Sequence, residues 1–242
     1  MNIKLVCEYD GTAYNGFQYQ PGLPTIQGAL ERALERIATL ESPLYAAGRT
    51  DTGVHARGQV VNVNVTTPVP PGRIAAALNS LLPPDISVSS AEEVPDSFNA
   101  RHDAVSREYR YHILNREAPS ALARLYSYHF RAPLDSEAMS EALGLLTGVH
   151  DFSALSCPEE GRSAVREVIE AELSRCGDML ILRVIANAFV YRMMRLTAGA
   201  LLAVGSGRWS PQHFADVLRS RDIQLAAPAL PARGLVLEKV RY

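Results

Sequence analysis

The densest group of residues able to do chemistry lies at residues 47–56, in the sequence AGRTDTGVHA. Asp51 is the only carboxylate in this stretch, and its basic neighbours are Arg49, His55 and Arg57. A carboxylate among positive groups is held in its ionised form, as a nucleophile or general base requires. The same residues also suit an Asx turn, in which the aspartate only accepts bonds from nearby backbone amides. The spacing alone leaves both interpretations open.

The tripeptide Asp51-Thr52-Gly53 also matches the short motif of aspartic proteases, a different class of enzyme. Those enzymes need two such carboxylates that share one proton, and this chain has a single Asp-Thr-Gly. Only a symmetric dimer could supply the second carboxylate, and a chain of 242 residues is large for that arrangement. The protease interpretation is therefore the weaker one.

No metal or nucleotide motif accompanies this group. The six histidines show no HxH, HxxxH or HExxH spacing, and neither GxxxxGK[ST] nor GxGxxG occurs. The three cysteines, Cys7, Cys157 and Cys176, are far apart and odd in number, which disfavours a zinc site and a disulfide framework. We therefore expect no metal and no cofactor.

A second candidate is the tract from residue 101 to residue 131, where basic and aromatic side chains are interleaved. Its members are Arg101, Arg107, Arg110, Arg116, Arg124 and Arg131, with Tyr109, Tyr111, Tyr126, Tyr128 and Phe130. Such a pattern suits looped RNA, in which bases stack on rings and phosphates bind arginine. An amphipathic strand with its tyrosines in the core would give the same pattern.

A third candidate is the pair Arg192 and Arg195, one helical turn apart in the otherwise apolar stretch at residues 186–204. A charge buried among Met194 and Leu196 would require a carboxylate partner. Alternatively, Arg195 lies at the helix edge and extends its guanidinium to water. The two arginines also make this stretch too polar to span a bilayer.

Composition narrows the classes of protein. The chain has 24 basic and 26 acidic residues, a net charge of −2 and 47% hydrophobic residues, which excludes a disordered chain. A near-neutral chain that binds nucleic acid must concentrate its basic groups in a cleft. The first residues lack the basic and apolar regions of a secretory signal, so we expect a cytoplasmic location.

Hydrophobic periodicity predicts the elements that must position these residues. Strands are expected at residues 3–9, 45–47, 60–65, 86–91, 108–114, 167–173, 179–185 and 235–240, and helices at 26–37, 73–82, 136–146, 189–204 and 211–219. The alternation of valine and asparagine at 60–65 indicates a strand with one wet face, and alternation at 108–114 puts Tyr109 and Tyr111 on one face. Thr25 is placed to cap the helix at 26–37, and a turn at residues 176–178 would pair the strands at 167–173 and 179–185. We predict an α+β protein of two similar halves, 1–105 and 106–242, with mostly antiparallel mixed sheets flanked by helices and an active-site cleft between them.

The motif at residues 47–56 resembles the catalytic motif of the tRNA pseudouridine synthase A family. Further matches follow in the same order along almost the whole chain: Glu8-Tyr9-Asp10-Gly11 with Tyr14, Gly16 and Gln18; Thr25-Ile26-Gln27; Phe98-Asn99-Ala100-Arg101; Arg107-Glu108-Tyr109-Arg110-Tyr111; Asp151-Phe152-Ser153 with Arg162; residues 188–195; and Gly234-Leu235-Val236-Leu237. The resemblance implies the pseudouridine synthase fold. It also implies isomerisation of uridine to pseudouridine at positions 38, 39 and 40 of the tRNA anticodon stem-loop, without cofactor or metal.

The resemblance also implies roles for individual residues. Asp51 would be the carboxylate that attacks the flipped-out nucleotide, at the ribose or at the base. Tyr109 would stack on the uracil and is a candidate acceptor for the C5 proton, while Arg195 would pair with Asp51. The remaining implied contacts are Arg49, which would take the place of the extruded base, Leu235 below the uracil, and Arg57, Arg110 and Arg162 on the RNA backbone. The family is dimeric, so a homodimer bound to tRNA is expected, with the Asp loop on residues 1–105 and the Tyr strand and Arg helix on 106–242.

The chain departs from the family pattern in two places. Tyr191-Arg192 and Leu196 stand where the family often has a histidine and an asparagine. Residues 157–161 are acidic where an RNA-facing loop is expected, with Glu159 and Glu160. Both changes concern local RNA contacts. Without the resemblance, a non-catalytic RNA-binding protein would also fit the arginine–tyrosine tract.

Overall fold

The computed structural model describes residues 1–158 and 160–242, so that Glu159 lies outside the described residues. The chain forms two compact units, Met1–Val105 together with Leu237–Tyr242, and Ser106–Val236. The sequence placed residues 237–242 in the second half, whereas the structure places them in the first unit because they run beside one of its strands.

The first unit is an antiparallel sheet with two helices. Its elements are β1 (Asn2–Tyr9), α1 (Ile26–Leu34), β2 (Thr39–Leu40), β3 (Tyr45–Ala46), β4 (His55–Thr66), α2 (Pro71–Asn79) and β5 (Ile86–Val94). The strand β1 pairs with both β4 and β5, and the short strands β2 and β3 pair with β4. Thr25 caps α1 through its side chain, which accepts a hydrogen bond from the Gly28 amide, as predicted.

The second unit has a sheet in the order β6-β10-β9-β8, with three helices packed together. Its elements are β6 (Ser106–Asn115), β7 (Tyr128–Phe130), α3 (Ser136–Gly144), β8 (Gly148–Asp151), β9 (Val165–Cys176), β10 (Met179–Ala186), α4 (Met193–Gly205) and α5 (Pro211–Ser220). The pairs along this order are antiparallel, and β7 adds to β6 in parallel. The predicted hairpin between β9 and β10 is present and turns at Gly177, whose φ is +57°.

A final strand, β11 (Leu235–Arg241), begins in the second unit and ends in the first, where it lies beside β4. Gly58 of β4 allows this approach, because a Cβ at that position would lie 2.5 Å from the carbonyl oxygen of Glu238. Mostly antiparallel sheets flanked by helices confirm the predicted α+β class.

The prediction that β4 has one wet face is wrong. Asn62 is buried, and its amide donates to the Asn2 side chain and the Phe98 carbonyl while its Oδ1 accepts from the Ala100 amide. An asparagine whose hydrogen bonds are all met by protein can be buried at little cost. The strand also starts earlier than predicted, at His55, which places His55 and Arg57 in a strand.

The helix predicted at residues 189–204 starts later than predicted, at Met193. Arg192 has φ 61° and ψ 2°, a left-handed conformation that cannot continue a right-handed helix. Residues 190–193 instead form a turn in front of α4, in which the Met193 amide donates to the Val190 carbonyl over 3.0 Å. Across the described part of the chain, no helix has the length and apolar character needed to cross a membrane.

Candidate active site

The loop that carries Asp51 joins β3 to β4 and is packed against the segment that follows β1. A Cβ on Gly11 would lie 2.0 Å from the carbonyl oxygen of Val54, so only glycine fits there. Gly16 has φ +87°, and a Cβ there would lie 2.8 Å from the Thr50 carbonyl oxygen. The Phe17 amide donates to that same oxygen over 3.0 Å. The backbone on both sides of Asp51 is therefore fixed by direct backbone contact.

His55 is buried at the end of this loop and contacts the turn at Asp10 and Gly11. Its Nδ1 accepts a hydrogen bond from the Gly11 amide over 3.1 Å and lies 3.1 Å from Asp10 Oδ1. The same Asp10 oxygen accepts from the amide and the hydroxyl of Thr12. The histidine that the sequence placed among the basic neighbours of Asp51 therefore connects this loop to the turn after β1.

The predicted site residues of the first unit differ in exposure. Asp51 is half-buried, whereas Arg49 on the same loop is exposed. Arg57 on β4 is also exposed, and its Nη1 lies 3.5 Å from Glu238 Oε1. The two arginines remain accessible to a large anionic ligand.

In the second unit, Tyr109 lies on β6 and is buried, with 7% of its surface exposed. The ring of Phe189 meets it edge-on, at 4.7 Å between centroids and an interplanar angle of 68°. Such a contact fixes the plane of the tyrosine ring. Phe189 was not predicted as a site residue, although it lies in the family-like motif at 188–195.

The same face of β6 continues into the core. Tyr111 is fully buried, and its hydroxyl donates to the Pro231 carbonyl over 2.7 Å. A Cβ on Gly234 would lie 2.7 Å from the ring of Tyr111, so the chain just before Leu235 packs directly on this tyrosine. Leu235 itself is buried at the start of β11. For Tyr111, the core interpretation of the arginine–tyrosine tract is correct.

The opposite face of β6 carries a buried charge cluster around Glu108. Its Oε1 accepts hydrogen bonds from Arg110 (Nη2, 2.9 Å) and Arg183 (Nε, 2.9 Å), and Arg183 also bonds Glu170. Burial alone would raise the pKa of Glu108, but the hydrogen bonds from Arg183 and Arg110 hold it below its usual value. Arg110, predicted to bind the RNA backbone, is thus already paired within the protein.

Arg195 lies in the first turn of α4 and is half-buried. Its Nε donates to the Leu230 carbonyl over 2.8 Å, and its own carbonyl accepts from the Leu230 amide. This two-way connection sets the direction of the side chain. The preceding Arg192 is exposed, with its guanidinium carbon 5.1 Å from the Tyr191 ring centroid. Arg162 is exposed in the loop before β9, and its acidic neighbour Glu159 lies outside the described residues.

The structure thus divides the predicted residues between the units. The first holds Asp51, Arg49 and Arg57, and the second holds Tyr109, Arg110, Arg162, Arg195 and Leu235. Within residues 1–158 and 160–242, no group of three or more histidine, cysteine or acidic side chains could hold a metal ion. A cavity of about 220 Å³ in the second unit includes one member of the arginine–tyrosine tract, Arg124, and none of the residues to which the resemblance gives a role. It is lined by Leu114, Pro119, Ser120, Arg124, Ser127, His129 and Arg233.

Comparison with known proteins identifies the family of the chain. The family model described as tRNA pseudouridine synthase matches residues 5–103 and 142–242. The tRNA pseudouridine synthase A of Bacillus pumilus (strain SAFR-032) is 42% identical over 100% of this chain and 99% of its own. The tRNA pseudouridine synthase A 2 of Clostridium perfringens is 41% identical, again over 100% and 99%. The tRNA pseudouridine synthase A of Moorella thermoacetica is 42% identical over 99% of each chain.

Among solved structures, a chain of the archaeal box H/ACA sRNP Nop10–Cbf5 complex aligns with 83% of this chain and 43% of its own. Its identity is 16% and its TM-score 0.38. The sequence relatives cover the chain from end to end. The chain therefore belongs to the tRNA pseudouridine synthase A family, the isomerases that convert uridine in tRNA to pseudouridine, as its motifs predicted.

Proposed function

We propose that the enzyme modifies uridines 38, 39 and 40 of the tRNA anticodon stem-loop, with Asp51 as the nucleophile. The observation that carries this proposal is the loop around Asp51. It presents a half-buried carboxylate on a backbone that Gly11 and Gly16 fix by contact, beside the exposed Arg49. A nucleophile needs this combination of a fixed position and access to the substrate.

The chemistry follows from the isomerisation. The Asp51 carboxylate attacks the flipped-out nucleotide at ribose C1′ or at uracil C6. The N1–C1′ bond breaks, the detached base turns, and a C5–C1′ bond forms in its place. The bond between Asp51 and the nucleotide breaks as well, which restores the free carboxylate. The C5 proton then leaves and N1 takes up a proton, so the product has the atoms and electrons of the substrate. The reaction consequently needs no oxidant, reductant or co-substrate.

The second unit supplies the proposed partners of the base. Tyr109 stacks on the uracil and is the candidate acceptor of the C5 proton, and its edge contact with Phe189 supports a fixed ring plane. Leu235 packs below the uracil. Arg195 pairs with Asp51, for which its Nε bond to the Leu230 carbonyl provides an oriented guanidinium. Base flipping accounts for the need to enclose the uracil.

Arginines supply the proposed contacts to the rest of the RNA. Arg49 occupies the place that the flipped base leaves in the stack, and its exposure supports this role. Arg57 and Arg162 bind backbone phosphates, and both are exposed. Arg110 is the least favourable of the three proposed backbone contacts, because Glu108 already accepts its hydrogen bonds.

We further propose a homodimer that acts on tRNA in the cytoplasm. The support in the structure is an exposed group of apolar side chains on the neighbouring strands β8 and β9, at Val149, Val165 and Ile169. Burial of such a group is a common reason for two chains to associate. Sedimentation velocity tests the proposal. We expect a dimer mass for the native chain, and a monomer mass would refute it.

The decisive experiment is the substitution Asp51→Asn, assayed on an unmodified tRNA transcript by mapping pseudouridine. We expect conversion to be lost while the Kd for tRNA stays within about twofold, since the amide keeps the shape but is no nucleophile. The matched control is Asp96→Asn, the same change at an exposed aspartate away from the loop. Normal turnover by Asp51→Asn would refute the role of Asp51 as the nucleophile.

Transcripts with cytidine at positions 38, 39 and 40 test where the enzyme modifies the tRNA. Continued pseudouridine formation in those transcripts would refute the anticodon assignment.

A further inference from the structure

A buried polar network lies under the loop that carries Asp51, and its two members on the sheet, Tyr9 and Gln59, have no role in the site described above. Tyr9 at the end of β1 and Gln59 on β4 are 2% and 0% exposed. The Tyr9 hydroxyl lies 2.8 Å from Thr50 Oγ1, and Gln59 Nε2 donates to the Gly48 carbonyl over 2.6 Å. Gln59 Nε2 also donates to the Tyr9 hydroxyl oxygen over 3.3 Å. Two strands of the sheet thus hold two residues that precede Asp51.

The direction of these hydrogen bonds follows from the available protons. The two amide hydrogens of Gln59 go to the Gly48 carbonyl and to the oxygen of Tyr9. Tyr9 is buried, so its own hydroxyl hydrogen must also be satisfied. The distance of 2.8 Å to Thr50 Oγ1 fits either hydroxyl as donor. Because Gln59 Nε2 can only donate to Tyr9, we assign the Tyr9 hydrogen to Thr50 Oγ1. The network therefore runs in one direction, from Gln59 through Tyr9 to Thr50, the residue adjacent to Asp51.

The network consists of groups that are neutral near pH 7. Burial raises the pKa of Tyr9 above its ordinary value, which keeps the hydroxyl protonated and able to donate. Its contacts lie on the N-terminal side of Asp51, whereas Gly16 contacts the loop through the Thr50 carbonyl and the Thr52 amide. The loop is therefore restrained both by side-chain hydrogen bonds and by backbone packing. A displacement of about 1 Å in a reacting group can cost about 100-fold in rate.

We propose that Tyr9 and Gln59 are positioning residues for Asp51, which fix the direction of its carboxylate through hydrogen bonds to Thr50 and Gly48. This inference rests on the proposed role of Asp51 as nucleophile. Neither residue contacts the substrate in this proposal. Their loss should slow the chemical step without weakening the binding of tRNA.

The test uses Tyr9→Phe, which removes one hydroxyl and keeps the ring in the core. We expect the single-turnover rate constant for pseudouridine formation to fall about tenfold or more, with the Kd for tRNA within about twofold. Thr50→Val should lose a similar factor, whereas Thr50→Ser, which keeps the hydroxyl, should react at nearly the native rate. The double variant Tyr9→Phe/Thr50→Val should be no slower than either single variant, because both remove the same bond.

The matched control is Tyr242→Phe, which removes a tyrosine hydroxyl bond of 2.8 Å to the Ala100 carbonyl in the same unit, away from the Asp51 loop. We expect it to react at the native rate. A native rate for Tyr9→Phe, or rate losses that multiply in the double variant, would overturn the proposal. An equal loss for Thr50→Ser and Thr50→Val would also overturn it, and this pair decides the matter if Tyr9→Phe does not fold. Turnover by Asp51→Asn would instead refute the proposed function itself.

Discussion

The loop that carries Asp51 and the segment that leads to Arg195 hold the two charged groups proposed for catalysis, but they are built differently. The first is restrained by backbone contacts at Gly11 and Gly16 and by buried neutral hydrogen bonds. The second contains Arg192 in a left-handed conformation, and the Nε of Arg195 donates to the Leu230 carbonyl.

The difference agrees with the proposed roles of the two groups. A carboxylate that forms a covalent bond has to be placed within a fraction of an ångström, which backbone packing can ensure. A cation acts over a longer distance, so its position can be less exact. Changes near Asp51 should therefore affect folding and chemistry together, whereas changes near Arg195 should affect mainly the rate.

The most damaging change should be Gly11→Ala. The new Cβ would lie 2.0 Å from the Val54 carbonyl oxygen and 2.7 Å from its carbon, and backbone atoms cannot rotate away as a side chain can. We expect a loss of about 3 kcal/mol or more in the free energy of unfolding, measured by urea denaturation.

The control for that measurement is Gly72→Ala on α2, where nothing lies within 4 Å of the new Cβ. Alanine favours a helix over glycine, so this variant should be as stable as the native chain or up to about 1 kcal/mol more stable. Equal stability of the two variants would show that the Asp51 loop is not held by backbone contact.

In the second region, Arg195→Lys should lower the single-turnover rate about 10- to 100-fold. Lysine keeps the charge but has no second donor like the arginine Nε. Arg195 bonds the Leu230 carbonyl through Nε and leaves its two terminal nitrogens to point elsewhere, which lysine cannot do. The free energy of unfolding should change by only about 1 kcal/mol. A stability loss as large as that of Gly11→Ala would show that the two regions are held alike.

A smaller effect is expected from Phe189→Ala, which removes the edge contact with Tyr109. The free energy of unfolding should fall by about 1 kcal/mol, and kcat should fall more than KM changes, because the ring plane of Tyr109 is released. Tyr191→Ala, at an exposed neighbouring ring, is the comparison. An identical kcat for both variants would exclude a role for the Phe189 contact.

The smallest effect is expected in the pH dependence of the Tm. The pKa of Glu108 is lower in the folded chain than its usual value, so its ion pairs stabilise the fold above the unfolded pKa. That contribution is lost as the pH falls through the folded pKa. The Tm should therefore change little from pH 7 down to about pH 5, and should decrease as the pH falls below about 4.5, the ordinary pKa of this carboxyl, less steeply in Glu108→Gln. The same slope in both proteins would contradict this assignment.

Much of the fold follows from local patterns that the sequence displays. Thr25 before an amphipathic run predicted the start of α1, and alternation predicted β6 with Tyr109 and Tyr111 on one face. The prediction of a wet face on β4 was wrong because two hydrogen-bond partners of Asn62 lie 36 and 60 residues away in the sequence. No local pattern reports such a distant partner.

The candidate site shows the same division. Its basic neighbours made Asp51 a candidate, with an Asx turn as the alternative, and the family resemblance supplied the proposed roles of Asp51, Tyr109 and Arg195. The contributions of Gly11 and Gln59 could not be predicted, because each depends on a close approach between separate elements. The only sign of Phe189 in the sequence was its place as an aromatic residue in the family-like motif that ends at Arg195. The reason for an aromatic side chain there is its contact with Tyr109, which only the structure shows.

The path of β11 has a consequence for synthesis on the ribosome. The first unit includes residues 237–242, with the Val105 amide bonded to the Arg241 carbonyl and Arg57 near Glu238. Domains commonly fold in order as they emerge during translation. Here the unit that carries Asp51 lacks one of its strands until the ribosome has translated residue 241. The carboxylate loop is thus made early, but the sheet that supports it is completed only after the whole second unit has been translated.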